Sequence, residues 1–447
     1  MKRFLFLLGF LAMGLFVFAQ TDEISEDIET LQEKSLQGSA DAKAKLGYCY
    51  LTGTKIEKNE KEGFKLLSVA ARENSAFANY YLGQCYHNGT GTSKNPVKAV
   101  HHTRIAGEQG FEKAYALLGN YYYYGTGTAK DRKEAVKWLK KAIEDEDDVE
   151  SLYLLATCYN NGDGIFRNEA KAVEYFEKAA EKGHAKARAD EAYAYRYGKG
   201  VAQNSTKAVE LYTEIAEAGD KDAQYYLATC YENGDGVTKD DATAFKWYLK
   251  AAENGNIPAQ NKTGEYYAKG IGTSQNYDKA FEWFTKAADA ANLEALNNLG
   301  ECYYNGKGTK IDYKKAFDLF NRASKNNAPK ALYNLGVCYS KGHGVRINTR
   351  KAAELLFDAA QAEYVPAQFL LGTFYIEGIG IPKDYKKGTT WLSIAADKGN
   401  ADAQHALGNC YKNGTGFNKD KNKALEWYSK AAEQGHEQAI KDLNRLK

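Results

Sequence analysis

Small and apolar residues recur along this chain at offsets of three, four and seven, and the whole arrangement returns every 36 residues. Glycines mark the register. Gly53, Gly89, Gly125, Gly162, Gly198, Gly234, Gly270, Gly306, Gly342, Gly378 and Gly414 are spaced by 36 at every step but one, where the gap is 37. A period of this size predicts a stacked repeat protein, here of eleven units. Counting back from each glycine, position −3 is Tyr in all eleven copies, −7 is Leu in nine, −6 is Gly or Ala throughout, and −11 is Ala in ten. Those offsets trace one face of a helix A, where small residues admit a neighbouring helix and Tyr and Leu fill the gap. Counting forward, +10 is Ala or Gly, +13 is large except at His102, and +17 is Ala in ten copies. This predicts a second amphipathic helix, B, of about fifteen residues, facing the first.

The glycines belong to the turn between A and B. A chain reversing after a helix needs a left-handed residue, which costs a side chain roughly 1–2 kcal/mol. The second glycine, two residues on and present in ten copies, is expected to shape the same loop. A Gly-x-Gly that cradles phosphate follows a strand, and none is predicted here.

The ends differ from the repeats. Lys2 and Arg3 precede an apolar run from Phe4 to Phe18, so residues 1–19 are expected to be a secretory signal peptide cleaved after Ala19, with an uncleaved N-terminal anchor as the rival reading. Residues 20–41 are expected to cap the stack, with Ile24, Ile28 and Leu31 on one face of a helix between Asp22 and Gly38. The repeats then fill 42–438, and 439–447 adds a closing half-repeat carrying Leu443 and Leu446. No linker and no further domain is expected, although 447 residues would by length alone suggest several.

Composition changes this picture little. Sixty Lys and Arg against 58 Asp and Glu leave a formal charge of +2, so bulk charge directs the chain neither to nucleic acid nor to an anionic membrane. All five Trp stand at +13 and read as packing residues. All seven Cys (Cys49, Cys85, Cys158, Cys230, Cys302, Cys338, Cys410) stand at −4. Equivalent positions in stacked helices lie about 9–10 Å apart, beyond the ~7 Å reach of a disulfide, so these are expected to be free, buried thiols. Neither Cys-x-x-Cys nor His-x-x-x-His occurs, and no metal or cofactor is expected.

The pattern A-x-x-x-L-G-x-C-Y-x-x-G-x-G-V followed by A-x-x-W-x-x-K-A-A-x-x-G resembles the Sel-like repeat family, relatives of the tetratricopeptide repeat, from about Ala42 to Ala439. The resemblance implies an all-α, right-handed superhelical solenoid of antiparallel helix pairs, and adaptors for other proteins in bacterial envelopes, signalling and quality control. A cysteine-rich branch of that family is associated with penicillin binding and β-lactam hydrolysis. It carries two cysteines per repeat, and this chain carries at most one.

Catalytic constellations are not apparent. No serine begins Ser-x-x-Lys, the seven His are scattered, and His101 and His102 are adjacent and point apart on a helix. What a solenoid offers is a long face lined by helix A, onto which positions −9, −5 and −2 project together. They read Tyr80, Gln84 and His87; Asn120 and Tyr123; Tyr153, Thr157 and Asn160; Tyr193 and Arg196; Tyr225, Thr229 and Glu232. Asn261 and Glu265, then Asn297, Glu301 and Tyr304, then Tyr333, Phe369, His405 and Asn409 continue the stripe. Tyr offers contact area at low entropy cost and the amides can satisfy peptide groups.

The fifth repeat departs from the rest, placing Glu191 at −7; a carboxylate on a packed face is costly unless paired, so Glu191 either bonds Arg188 or Arg196 or marks a discontinuity that a partner uses. The extra residue of the 37-residue step falls in the acidic run Glu144 to Glu150, which reads as a solvated loop. The expected function is an exported, periplasmic or secreted, non-catalytic and monomeric scaffold that holds a protein or peptide of the cell envelope in the helix-A groove. An envelope glycan binder or cell-wall-active hydrolase is the alternative.

Overall fold

The computed structural model describes residues 24–144 and 148–446. The proposed signal segment and its cleavage point, and the middle of the acidic run, lie outside the described residues. The chain divides into two compact units, Met1–Ile215 and Ala216–Lys447.

In the first unit α1 (Ile28–Leu36) precedes five pairs: α2 (Ala40–Thr52) with α3 (Glu60–Arg72), α4 (Ala76–Asn88) with α5 (Pro96–Glu108), α6 (Lys113–Tyr124) with α7 (Arg132–Ala142), α8 (Val149–Asn161) with α9 (Glu169–Glu181), and α10 (Ala185–Tyr197) with α11 (Ser205–Glu217). Ala216 opens the second unit in the last turn of α11. It holds α12 (Lys221–Asn233) with α13 (Asp241–Glu253), α14 (Ile257–Lys269) with α15 (Tyr277–Asp289), and α16 (Leu293–Asn305) with α17 (Tyr313–Ala323). Then come α18 (Pro329–Lys341) with α19 (Thr349–Gln361), α20 (Val365–Glu377) with α21 (Tyr385–Asp397), α22 (Ala401–Asn413) with α23 (Lys421–Glu433), and finally α24 (Glu437–Leu446). No strand occurs among the described residues. The expected α/α repeat architecture is what each unit contains.

One repeat explains how the turn is built. At the end of α18, Gly342 takes φ 72° and donates its N–H to Cys338 O at 2.9 Å, closing the helix as a side-chain residue could do only at a cost. Asn348 then caps α19. Its side chain accepts from Lys351 N–H at 2.9 Å while its own N–H reaches back to the carbonyl of Tyr339, the invariant −3 tyrosine, at 2.9 Å. The loop is thus pinned by backbone at both ends.

The second glycine does something the sequence did not suggest. A Cβ placed on Gly344 would stand 2.1 Å from Tyr313 O, at the start of helix B of the preceding repeat. The same holds at Gly308, 2.1 Å from Tyr277 O. This position is therefore a contact between repeats, where backbone rests on backbone. The first repeat has Lys55 there, left-handed at φ 64°, and its ammonium donates to the carbonyls of Ile24 and Glu26 in the segment ahead of α1.

Two core expectations shift. The deepest helix-B position is +14 rather than +13: Tyr212, Tyr248, Phe320 and Tyr428 are fully enclosed there. Of the Trp at +13, Trp138 and Trp283 are buried and Trp247, Trp391 and Trp427 are half-buried. α1 begins at Ile28 because Asp27 accepts from Thr30 N–H and so starts the helix, which leaves Ile24 buried but in extended chain. All seven cysteines are buried and free, as expected, and burial pushes the Cys85 thiol up to about 12.

Candidate functional site

The helix-A face is organised by a residue the stripe at −9, −5 and −2 leaves out. In several repeats position −8 of helix A reaches back to the preceding helix A. Asn298 on α16 donates Nδ2 to Asn261 Oδ1 on α14 at 3.0 Å and approaches Glu265 Oε1 at 3.4 Å. One repeat on, Asn334 on α18 donates to Asn297 Oδ1 at 2.9 Å and to Glu301 Oε1 at 3.0 Å. Within each helix, Asn261 donates to Glu265 at 2.9 Å and Asn297 to Glu301 at 3.0 Å. The amide and carboxylate at −9 and −5 and the amide at −8 of the next repeat therefore form a closed set, made twice in succession.

At the flanks the chemistry changes while the position holds. Lys262, at −8 of α14, donates to Glu232 at 3.0 Å, and the Tyr248 hydroxyl donates to the same carboxylate. Burial pushes the Glu232 carboxyl up, but the hydrogen bonds from Tyr248 and Lys262 outweigh it and hold the group below its ordinary value. Lys330 adds a 2.8 Å ion pair to Glu301. Asp442 on α24 accepts from His405 on α22 at 2.9 Å. Tyr225 borders a recess of about 310 Å³ with Tyr226, Lys221, Asp222, Asn256 and Ile257. Thr229 bonds its own helix at Tyr226 O. Tyr333 packs beside Tyr364, ring centres 5.4 Å apart.

The first unit uses rings more than amides. Tyr81 at −8 of α4 meets Tyr48 on α2 at 4.6 Å, and Tyr80 lies 4.9 Å from Phe111. Tyr123 carries the Arg132 guanidinium 3.5 Å above its ring. Tyr153 stacks on His184 at 4.3 Å, and Asp190, at −8 of α10, faces it. Burial lifts the Asp190 carboxyl to about 6, with His184 and Lys186 opposing. Asn120 bonds Ala116 O and Asn160 bonds Asn161, each within its own helix. Tyr193, open to solvent, leans on Tyr197 at 4.6 Å.

The stripe is thus only partly a projecting one. Gln84, Arg196, Asn261 and Asn297 were expected to project, and they are buried, because helix A packs on helix A along this line. Glu191 is also corrected: its partner is Lys207 of α11, at 3.4 Å, while Arg188 pairs with Glu214 at 3.1 Å. His102 is a packing residue, stacked 5.6 Å from Tyr86 and bonded to Asn79, its burial lowering it to about 4. Among the described residues no three His, Cys, Asp or Glu converge as metal ligands.

Sel1 repeat models match eleven consecutive segments, 40–75, 76–111, 112–147, 149–184, 187–220, 221–256, 257–292, 293–327, 329–364, 365–400 and 401–436. The chain belongs to the Sel1 repeat family. A solved Sel1-like structure, a protective antigen present in uropathogenic Escherichia coli strains, is 29% identical, covers 94% of this chain and 90% of its own, and superposes with a TM-score of 0.80. A Sel1 repeat protein from Oxalobacter formigenes is 29% identical over 72% of this chain and 96% of its own, with a TM-score of 0.53. Among curated proteins none matches the chain. No helix among the described residues is long and apolar enough to cross a membrane.

Proposed function

We propose that this Sel1 repeat protein is an exported, non-catalytic adaptor that holds an extended segment of another envelope protein along the helix-A face of α12 to α18. The observation that carries this reading is the doubled set, Asn261 with Glu265 and Asn298, then Asn297 with Glu301 and Asn334. Asn261 and Asn297 are buried inside the sets, whereas the half-buried Asn298 and Asn334 donate inward and keep side-chain oxygen lone pairs that can accept from a peptide N–H. Successive helix pairs stand roughly 9–10 Å apart, and an extended chain advances about 3.3 Å per residue, so one set meets every third peptide unit. The recess beside Tyr225 receives a side chain at one end, and Tyr333 offers ring area at the other. Export rests on the apolar run after Lys2 and Arg3.

The test is selection of binders from a random-sequence peptide library, followed by titration of the selected peptides against Asn298→Ala with Asn334→Ala, and separately Tyr225→Ala. At least a tenfold loss of affinity with unchanged circular dichroism is expected for each. Undiminished binding by both variants overturns the assignment, and so does retention of wall glycans in place of peptides.

A further inference from the structure

Within each unit the turns between helices A and B follow the C-terminal ends of the A helices, and their charge is unevenly shared. In the last four repeats, segments 306–315, 342–351, 378–387 and 414–423 hold thirteen Lys and Arg against three acids, Asp312, Asp384 and Asp420. The corresponding segments of the first seven repeats hold fourteen against eleven. A formal charge of +2 for the whole chain therefore conceals a basic edge on the second unit. The three aspartates soften it little. Each caps a helix, accepting the backbone N–H of Lys315, Lys387 or Lys423 at 2.9–3.0 Å. Asp312 and Asp384 also pair with Lys315 and Lys387 at 3.8 and 3.6 Å, and Glu354 with Arg350 and Lys351, while Lys310, Lys314, Arg346, Arg350, Lys383 and Lys386 stand exposed.

Set into this edge are apolar side chains that the fold does not bury. Ile311 and Ile347 occupy the same register, +5, in successive repeats and are 56% and 66% exposed. Every other repeat has Lys, Arg or Gln at that position. In the next repeat +5 is Lys383, and Tyr385, two residues on at +7 and 46% exposed, has its ring centre 5.7 Å from the Lys383 ammonium. Packing does not call for isoleucine where nine other repeats do well with a long polar residue.

We infer that this edge docks the protein on an anionic lipid bilayer, Lys and Arg engaging headgroup phosphates while Ile311, Ile347 and Tyr385 enter the interface. Cationic groups repeated along a line match a surface that is negative everywhere, and aliphatic tips among them gain where an apolar layer lies just beneath the charge. A soluble polyanion rewards the lysines and not the isoleucines. The docking is peripheral and leaves the helix-A face open, so it stands apart from the peptide-binding reading.

The experiment is co-sedimentation of the full chain with vesicles rich in phosphatidylglycerol and with phosphatidylcholine vesicles, at low and high salt. The variants compared share the same N-terminus, so the apolar run there contributes equally to all. A preference for anionic vesicles of at least tenfold, lost at high salt, is expected. The variant K310Q/K314Q/R346Q/R350Q is expected to lower partitioning about 100-fold or more, whereas K58Q/K61Q/K94Q/K98Q, on the first unit's edge, changes it little. I311S/I347S is expected to weaken binding at unaltered charge. Equal binding by the two quadruple variants, with native circular dichroism, overturns the proposal. Indifference to I311S/I347S, with heparin bound as well as vesicles, replaces the membrane by a soluble polyanion and overturns it too.

Discussion

Lys207 Nζ stands 3.4 Å from the Glu191 carboxylate and 3.8 Å from the centre of the Tyr195 ring. Glu191 occupies a position given to leucine in most repeats, with only 6% of its surface exposed, and burial raises its carboxyl above the ordinary range. The lysine offsets that cost by charge, and the Tyr195 ring face attracts the lysine's own cation. Lys207→Met is expected to destabilise the protein by about 2–3 kcal/mol, since it leaves a buried carboxylate without its counter-charge. Glu191→Leu should be neutral or stabilising by up to about 1 kcal/mol, because the consensus residue packs there. Unfolding of both variants in urea checks the pair, and an equal loss in both would contradict it.

Gly344 and Lys55 share a register position and not an environment. Gly344→Ala drives a methyl to 2.1 Å from Tyr313 O in a left-handed residue, and a loss of about 3 kcal/mol or more is expected. Lys55→Gly relieves a left-handed side chain while removing its bonds to Ile24 O and Glu26 O, so a change within about 1 kcal/mol is expected. Thermal unfolding followed by circular dichroism separates the two outcomes.

Asp190 gives the fold a pH dependence of definite sign. Its carboxyl titrates near 6 because burial disfavours the charge, against about 3.9 in an unfolded chain. The folded state therefore holds the proton more tightly. The stability this contributes is complete below about pH 4 and is lost as pH rises through 6. Asp190→Asn is expected to flatten the stability profile between pH 4 and 7 by about 1–2 kcal/mol, a half-buried group being partly relieved by solvent. Urea midpoints at several pH values measure it. A profile as steep in the variant as in the parent would assign the effect elsewhere.

The seven thiols should behave as interior groups. Burial pushes Cys85 and Cys338 up to about 12, and Cys158, Cys302 and Cys410 to about 11, so little thiolate exists at neutral pH. A chromogenic thiol reagent is expected to react slowly with the native protein and to titrate seven groups per chain in denaturant. Fewer than seven in denaturant would reveal disulfides.

The repeat was legible because its residues report on their own helix. Gly342, Tyr339 and Cys338 stand at offsets that fix a helix end and a buried face, and the structure puts them there. Less legible was what lies between helices. Asn298 is adjacent in sequence to Asn297, yet serves Asn261 on the previous repeat while Asn297 serves the next, and intrahelical offsets carry no information about such partners. The recurrence of Asn at −8 in two successive repeats was the available signal. Similarly, Trp at +13 stands out by size, although Tyr248 and Phe320 at +14 are the more fully enclosed. Glu191 was correctly marked as needing a partner, but Lys207 comes from the following helix, out of reach of a search along its own.

The backbone seat beneath Gly344 bears on how such a chain grows. Each repeat offers the start of its helix B as a seat and supplies, in its second glycine, the rider for the seat before it. Copying any 36-residue stretch within the array adds one of each, so new length needs no new interface. The single 37-residue step is compatible with this, for in sequence its extra residue falls between Ala142 and Val149, outside the A–B turn and the start of helix B. The first repeat alone is not interchangeable: moved inward by duplication, it would have to exchange Lys55 for glycine before another repeat could carry it.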